Sequence, residues 1–188
     1  KYGLKNTDTF LDYGCGYGRI GIPVVKYIDV GNYIGIDLSR ERIRLAKDYI
    51  KHENLEHKKP SFFCSYKKNL PEICPNQKFD TILIYTVLSH NPPKEVEFIL
   101  KEAKKFLNKN GKIFIDYVNP QYQKSYMKIM GFTIKNSVKD YNLADEEIYQ
   151  ILSRLNLNYK KIDEFIDFQT DKFVSKYAKM LMLTHKTM

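Results

Sequence analysis

Leu11-Asp12-Tyr13-Gly14-Cys15-Gly16-Tyr17-Gly18-Arg19, near the start of a chain of 188 residues, is the stretch from which the fold can be read. Thr9 to Asp12 reads as a short buried strand, and Arg19 to Ile28 reads as a helix. Glycines at alternate positions between them let the backbone pass close to a ligand with no Cβ in the way. The helix start offers free N–H groups and a positive dipole end to an anionic or carbonyl-bearing group. The next apolar run, Tyr33-Ile34-Gly35-Ile36, leads to Asp37, where a carboxylate can accept from both hydroxyls of a ribose. The pattern is that of a nucleoside-binding half-site.

Two nucleosides fit it. Gly16-x-Gly18-x-x-Gly21, with an acid about 20 positions on, matches the dinucleotide fingerprint. Asp12 speaks for a different ligand, because an acid before the first glycine repels a pyrophosphate and suits a cation carrying an ammonium and a sulfonium. Three further stretches follow in order: Gly35-Ile36-Asp37-Leu38-Ser39, Lys78-Phe79-Asp80-Thr81-Ile82-Leu83-Ile84, and Phe106-Leu107-Asn108-Lys109-Asn110-Gly111-Lys112-Ile113-Phe114-Ile115. With the glycine loop, they make the chain resemble the class I S-adenosylmethionine-dependent methyltransferases. That resemblance implies S-adenosylmethionine as cofactor and S-adenosylhomocysteine as its product.

Strand and helix signals alternate along the first two thirds. Strands are expected near 9–12, 32–37, 61–64, 79–85 and 112–117. Helices are expected at 18–28, 40–52 and 93–107, with a short turn around 68–74. Ser39 is a good N-cap for the second helix, with Glu41 in its first turn. Val96, Ile99, Leu100, Ala103 and Leu107 form the apolar stripe of the third, and Asn110-Gly111 reads as its end. Such alternation implies a parallel sheet with helices on both faces and ligands beyond the carboxyl ends of its strands. Asp145 to Leu157 reads as a further helix, and Tyr159 to Phe168 and Lys179 to His185 as strands. The resemblance implies an α/β fold with a Rossmann-like, doubly wound, seven-stranded sheet, mostly parallel with an antiparallel last strand. Val118 to Tyr141 is too long for an ordinary connection and reads as a flap over the acceptor site. Length favours a single domain over residues 1–188. Strand one follows so closely on Lys1 that a preceding segment is expected.

Composition bounds the rest. With 43% hydrophobic residues the chain is globular, and no apolar run approaches a membrane span of about 18 residues. Cys15, Cys64 and Cys74 have no zinc-type spacing and fit free thiols in a cytoplasm. Neither His nor carboxylate clusters suggest a metal site. The net charge of +9 reflects 31 basic against 22 acidic residues, and the lysines, which outnumber arginines 26 to 5, are spread over helix faces, as at Lys101, Lys104, Lys105 and Lys109. That distribution fits a solvated surface better than a nucleic-acid stripe.

The candidate cofactor residues are Asp12, Gly14, Cys15, Gly16, Gly18 and Arg19 of the loop, with Asp37 for the ribose and Leu38 for the adenine face. The resemblance places an acid after strand three, near the adenine amino group. Here Ser65 and Tyr66 stand there, so a hydroxyl or a backbone N–H takes its place. It also implies a backbone carbonyl from Tyr85 or Thr86 toward the methionine ammonium. Asn91-Pro92-Pro93 resembles an amino-group methyltransferase motif, but its spacing from Asp80 and the following Lys94 favour a helix cap. His90 lies just past strand four and is the candidate base, since histidine exchanges protons near neutral pH. Asp116 and Tyr117, at the end of strand five, are candidates for orienting the acceptor.

The expected function is methyl transfer to a small polar acceptor. The stretches Tyr85 to His90 and Gly111 to Ile113 look like those of methyltransferases tied to cell-surface polysaccharides. On that resemblance the acceptor is an oxygen of a sugar, a capsule precursor or its phosphorus-containing substituent. RNA or protein methylation is the alternative within the class. A non-catalytic nucleoside-binding protein or a dinucleotide oxidoreductase is the alternative outside it.

Overall fold

The computed structural model describes residues 3–65, 70–120, 141–162, 166–167, 172–173 and 178–186. Its elements run β1 (Phe10–Tyr13), α1 (Gly21–Tyr27), β2 (Tyr33–Asp37), α2 (Arg40–His52), β3 (Ser61–Cys64), α3 (Leu70–Ile73) and β4 (Phe79–Ile84). They continue with α4 (Pro93–Lys105), β5 (Leu107–Val118), α5 (Asp145–Arg154), β6 (Leu157–Ile162), β7 (Ile166–Asp167), β8 (Lys172–Phe173) and β9 (Ala178–His185). Seven strands form one sheet in the order β3-β2-β1-β4-β5-β9-β6, and β7 pairs with β8 apart from it. The reversal of strand order between β1 and β4 is the topological switch of doubly wound folds. β1 runs parallel to β2 and β4, while β9 runs antiparallel to both β5 and β6.

The chain divides into two compact units. The first comprises residues 1–83 and 105–112. Every residue of β1 and β2 is buried, as expected of parallel strands covered on both faces. Their core includes Phe10, Val25, Ile28, Tyr33, Ile43 and Phe62. Tyr33 stacks on Phe10 at 6.0 Å and tilts against Phe62 at 5.4 Å. α2 presents Ile43, Ala46 and Ile50 inward, and the Ser39 side chain accepts from the Arg42 N–H at 3.2 Å, so the expected cap is present.

The second unit comprises residues 84–104 and 113–188. α4 buries Val96, Ile99, Leu100 and Ala103, and α5 buries Ile148, Ile151 and Leu152. Lys104 Nζ donates to the carbonyl of Leu155 at 2.7 Å, meeting an acceptor that the end of α5 leaves unused.

Three boundaries differ from the sequence expectation. α1 starts at Gly21, and the residues before it form turns, so the loop is longer than the glycine pattern implies. α4 ends at Lys105, and Asn110-Gly111 lies within β5. Gly111 is there for space: an added Cβ would meet Leu107 Cδ1 at 2.7 Å and the backbone oxygen of Phe79 at 2.9 Å. Gly111→Ala should therefore destabilise the fold by about 2 kcal/mol in denaturant titrations, because the obstructing carbonyl belongs to a central strand. Finally, β6 starts at Leu157, two residues before the strand expected over 159–168; Ile166–Asp167 of that stretch form β7, and residues 163–165 and 168 lie outside the described residues.

Candidate functional site

The glycine loop and the end of β2 hold each other within the first unit. The N–H groups of Gly14 and Cys15 donate to the carbonyl of Ile36 at 2.8 and 2.9 Å. Gly16 N–H donates to Asp37 Oδ2 at 3.0 Å, and Ser39 N–H donates to Asp37 Oδ1 at 2.8 Å. Each carboxylate oxygen keeps a second lone pair, so Asp37 can still accept a pair of ligand hydroxyls. Gly16 and Gly18 have φ of +56° and +90°, which side chains rarely adopt. Nothing lies within 4 Å of where a Gly16 Cβ would be, so the loop backbone there is open to close approach. These features fit a nucleoside whose ribose sits against Asp37.

Asp12 is a buried acid of this unit. It is 3% exposed, and its Oδ2 accepts from the Tyr33 hydroxyl at 2.8 Å. Burial pushes its carboxyl up to about 7, against the lowering effect of the Tyr33 hydrogen bond and with a smaller push from Asp37. A cation arriving beside Asp12 would reverse that balance. Cys15 is buried, and its thiol is driven strongly upward by burial first and by Asp12 and Asp37 next, which leaves it without thiolate reactivity. Arg19 is exposed and lies 5.0 Å over the Tyr17 ring. Leu38 is half exposed at 51%. Ser65 is buried, with its N–H donating to the Asp37 carbonyl at 2.9 Å. Tyr66 lies outside the described residues.

The second unit carries Tyr85 and Thr86, expected to offer a carbonyl to the methionine ammonium, and the residues expected on the acceptor side, His90, Asp116 and Tyr117. Tyr85 is buried at the end of β4, and Thr86 follows with φ +54°. A β-branched residue in that conformation stores strain of about 1–3 kcal/mol, so something must hold it. The buried Asp116 does so, its Oδ1 accepting from the Thr86 N–H at 2.6 Å. His90 is exposed at the end of the turn Leu88–His90, where its N–H donates to the Val87 carbonyl at 3.1 Å. The Asn91 side chain donates back to the same carbonyl at 2.7 Å and closes that turn, and α4 begins at Pro93.

Tyr117 is 1% exposed, and its hydroxyl donates to Asp145 Oδ1 at 3.1 Å. Asn119 donates to the same oxygen at 3.3 Å, and Lys179 pairs with Asp145 Oδ2. Burial works to raise the Asp145 carboxyl, but the bonds from Lys179, Asn119 and Tyr117 outweigh it and hold it below the usual carboxylate range. Asp116 and Tyr117 thus each have an internal partner. The proposed flap falls largely on residues 121–140, outside the described residues. No group of three or more His, Cys, Asp or Glu among the described residues could hold a metal ion. No helix among them is long and apolar enough to cross a membrane.

The sequence reading missed Tyr33, the partner of Asp12. A tyrosine in a strand buried on both faces needs a hydrogen-bond partner for its hydroxyl, and that was the available signal.

Comparison with known proteins agrees with the geometry. A family described as a methyltransferase domain matches residues 4–172. The ubiquinone biosynthesis O-methyltransferase of Pelagibacter ubique (strain HTCC1062) is 30% identical over 168 residues, or 85% of this chain and 65% of that one. The chain therefore spans just under two thirds of this curated relative. Magnesium protoporphyrin IX methyltransferase from Synechocystis PCC 6803, solved with bound SAH, superposes with a TM-score of 0.70 at 18% identity over 96% of this chain and 75% of that one. An S-adenosylmethionine-dependent methyltransferase from Clostridium acetobutylicum ATCC 824 gives 0.67 at 16% identity, over 95% of this chain and 84% of that one. At such identities the likeness to the two structures is one of fold.

Proposed function

Because the chain belongs to the methyltransferase domain family, as a class I S-adenosylmethionine-dependent methyltransferase, we propose that it moves a methyl group from S-adenosylmethionine to an oxygen of a small polar acceptor. The observation that carries this reading is the lock between Gly16 and Asp37 beside the buried Asp12. Two acids close to an open glycine backbone suit a ligand with a ribose at one end and a cationic amino acid at the other. They suit a pyrophosphate poorly.

In this reading Asp37 receives the ribose hydroxyls, and Gly14, Cys15, Gly16 and Gly18 line the cofactor, with Arg19 at the rim. Leu38, Ser65 and Tyr66 attend the adenine. Asp12 and a carbonyl of Tyr85 or Thr86 meet the ammonium. The cofactor, when bound, supplies an electrophilic methyl group. His90 takes the proton that the acceptor oxygen loses. Asp116 acts by holding the Thr86 peptide, and Tyr117 by anchoring the start of α5 through Asp145. The Pelagibacter relative is named for an O-methyltransferase, which favours oxygen over nitrogen. A sugar or capsule-precursor acceptor rests on the resemblance of the stretch Tyr85 to His90, and a cytoplasmic location on the three free thiols.

Titration calorimetry with S-adenosylmethionine, S-adenosylhomocysteine and NAD tests the reading. The first two should bind in the low-micromolar range, about 7–8 kcal/mol. Asp37→Ala should weaken them at least about tenfold, since it removes the ribose acceptor and the anchor of the Gly16 N–H together. Equal or tighter binding of NAD would defeat the proposal.

A further inference from the structure

We propose that Tyr33 is a positioning residue for cofactor recognition, its hydroxyl holding the Asp12 carboxyl so that one oxygen is engaged inside the fold and the other is left for the cofactor's ammonium group. The inference rests on the function proposed above and deepens it.

The strand register explains how Tyr33 reaches Asp12. Phe10 pairs with Tyr33 and Asp12 with Gly35 across the parallel β1–β2 ladder. Tyr33 and Asp12 therefore lie on one face, two residues apart along the strands, a separation of about 6–7 Å that a tyrosine side chain can span. Opposite Asp12 stands Gly35, which has no side chain to obstruct the ring. Its vacant Cβ position is already crowded, with Phe62 Cδ1 at 2.9 Å and Cys15 Sγ at 3.0 Å. Beyond the ring, Gly21 of α1 leaves the room that the hydroxyl occupies, since a Cβ there would lie 2.3 Å from Tyr33 Oη. The third glycine of the fingerprint-like pattern thus serves a tyrosine and not a pyrophosphate.

Packing alone accounts for the ring but not for the oxygen. Phenylalanine would stack on Phe10 and tilt against Phe62 equally well. The hydroxyl is the one donor that Asp12 receives among the described residues, and it goes to Oδ2, leaving Oδ1. Burial, and Asp12 itself, drive the Tyr33 hydroxyl well above its ordinary range, so it remains a donor at every physiological pH. Among the described residues, the titratable groups facing Asp12 are Tyr33 and Asp37 from β2 and Cys15 from the loop, and its register partner on β4 is the apolar Leu83. None of these brings a positive charge. The missing counter-charge is the role that a ligand ammonium fills.

The test is calorimetric titration of S-adenosylmethionine, S-adenosylhomocysteine and adenosine into wild type and Tyr33→Phe from pH 5.5 to 8.5. At pH 7 the variant should bind the two amino-acid-bearing ligands about tenfold more weakly and adenosine within about twofold of wild type. Its affinity–pH profile should move upward by about one unit, because the donor that eases Asp12 ionisation is gone. Equal losses for adenosine, or an unmoved pH profile, would overturn the inference and leave the function standing. A folded wild type that binds none of the three ligands would defeat the function and this inference with it. Should Tyr33→Phe fail to fold, Gly21→Ala presses on the same hydroxyl and should show the same ligand-selective loss. A uniform loss there would overturn the inference too.

Discussion

Cofactor-free protein should lose about 4 kcal/mol of folding stability through Asp12 alone as pH rises from 3.8 to about 7, and Asp12→Asn should remove that loss. In the fold the carboxyl is held protonated by burial, so the folded chain binds a proton that the unfolded chain releases above its ordinary value. The stabilisation is complete below the unfolded pKa and disappears as pH climbs through the folded one. Asp80 and Asp145, held below the usual range, act in the opposite sense and in a separate window. Their contributions are present above about pH 4 and fade as the solution becomes more acidic. Urea titrations of wild type and Asp12→Asn at half-unit steps from pH 4 to 8 isolate the Asp12 contribution as a difference. The amide oxygen of Asn can still accept from Tyr33, so the comparison changes the charge and little else. Parallel curves across the window would show that the folded carboxyl ionises at an ordinary pH. Saturating S-adenosylmethionine should flatten the wild-type dependence, because a bound ammonium supplies the missing positive partner.

His90→Ala should lower turnover about 100-fold while leaving cofactor affinity nearly unchanged. The proposal places the base on an exposed turn, where an acceptor can approach without displacing core residues. The turn itself is held by backbone and Asn91 contacts to the Val87 carbonyl, so removing the imidazole should not unravel it. The measurement needs an acceptor, found by screening sugar and phosphosugar pools for methyl uptake. Full activity would mean that alignment of acceptor and methyl group is sufficient. A loss of cofactor affinity in proportion to turnover would move His90 into the cofactor pocket. The base would then have to be Asp116 or Tyr117, both of which have internal partners that would need to change.

The order of elements and the family were legible in the sequence because both depend on short-range pattern. Apolar runs such as Tyr33 to Ile36, the alternate glycines and the acid ending β2 are local features with local physical meanings. The Ser39 cap was legible for the same reason, since it is settled within four residues. What lies beyond that range was decided by the tertiary structure. Nothing in the neighbourhood of Gly111 says that it lies within a strand; the close approach of the Phe79 carbonyl inside the sheet is what requires a glycine there. Nothing near Asp116 shows that its carboxylate holds the strained Thr86, because the two are 30 positions apart. Tyr33 and Asp12 are 21 positions apart and meet only once β1 and β2 align in register and Gly21 leaves room. Sequence alone determined which residues carry charge, hydroxyl or free backbone. The tertiary structure decided which of them are buried together, and burial is what turns a hydrogen bond into control over an acid's ionisation.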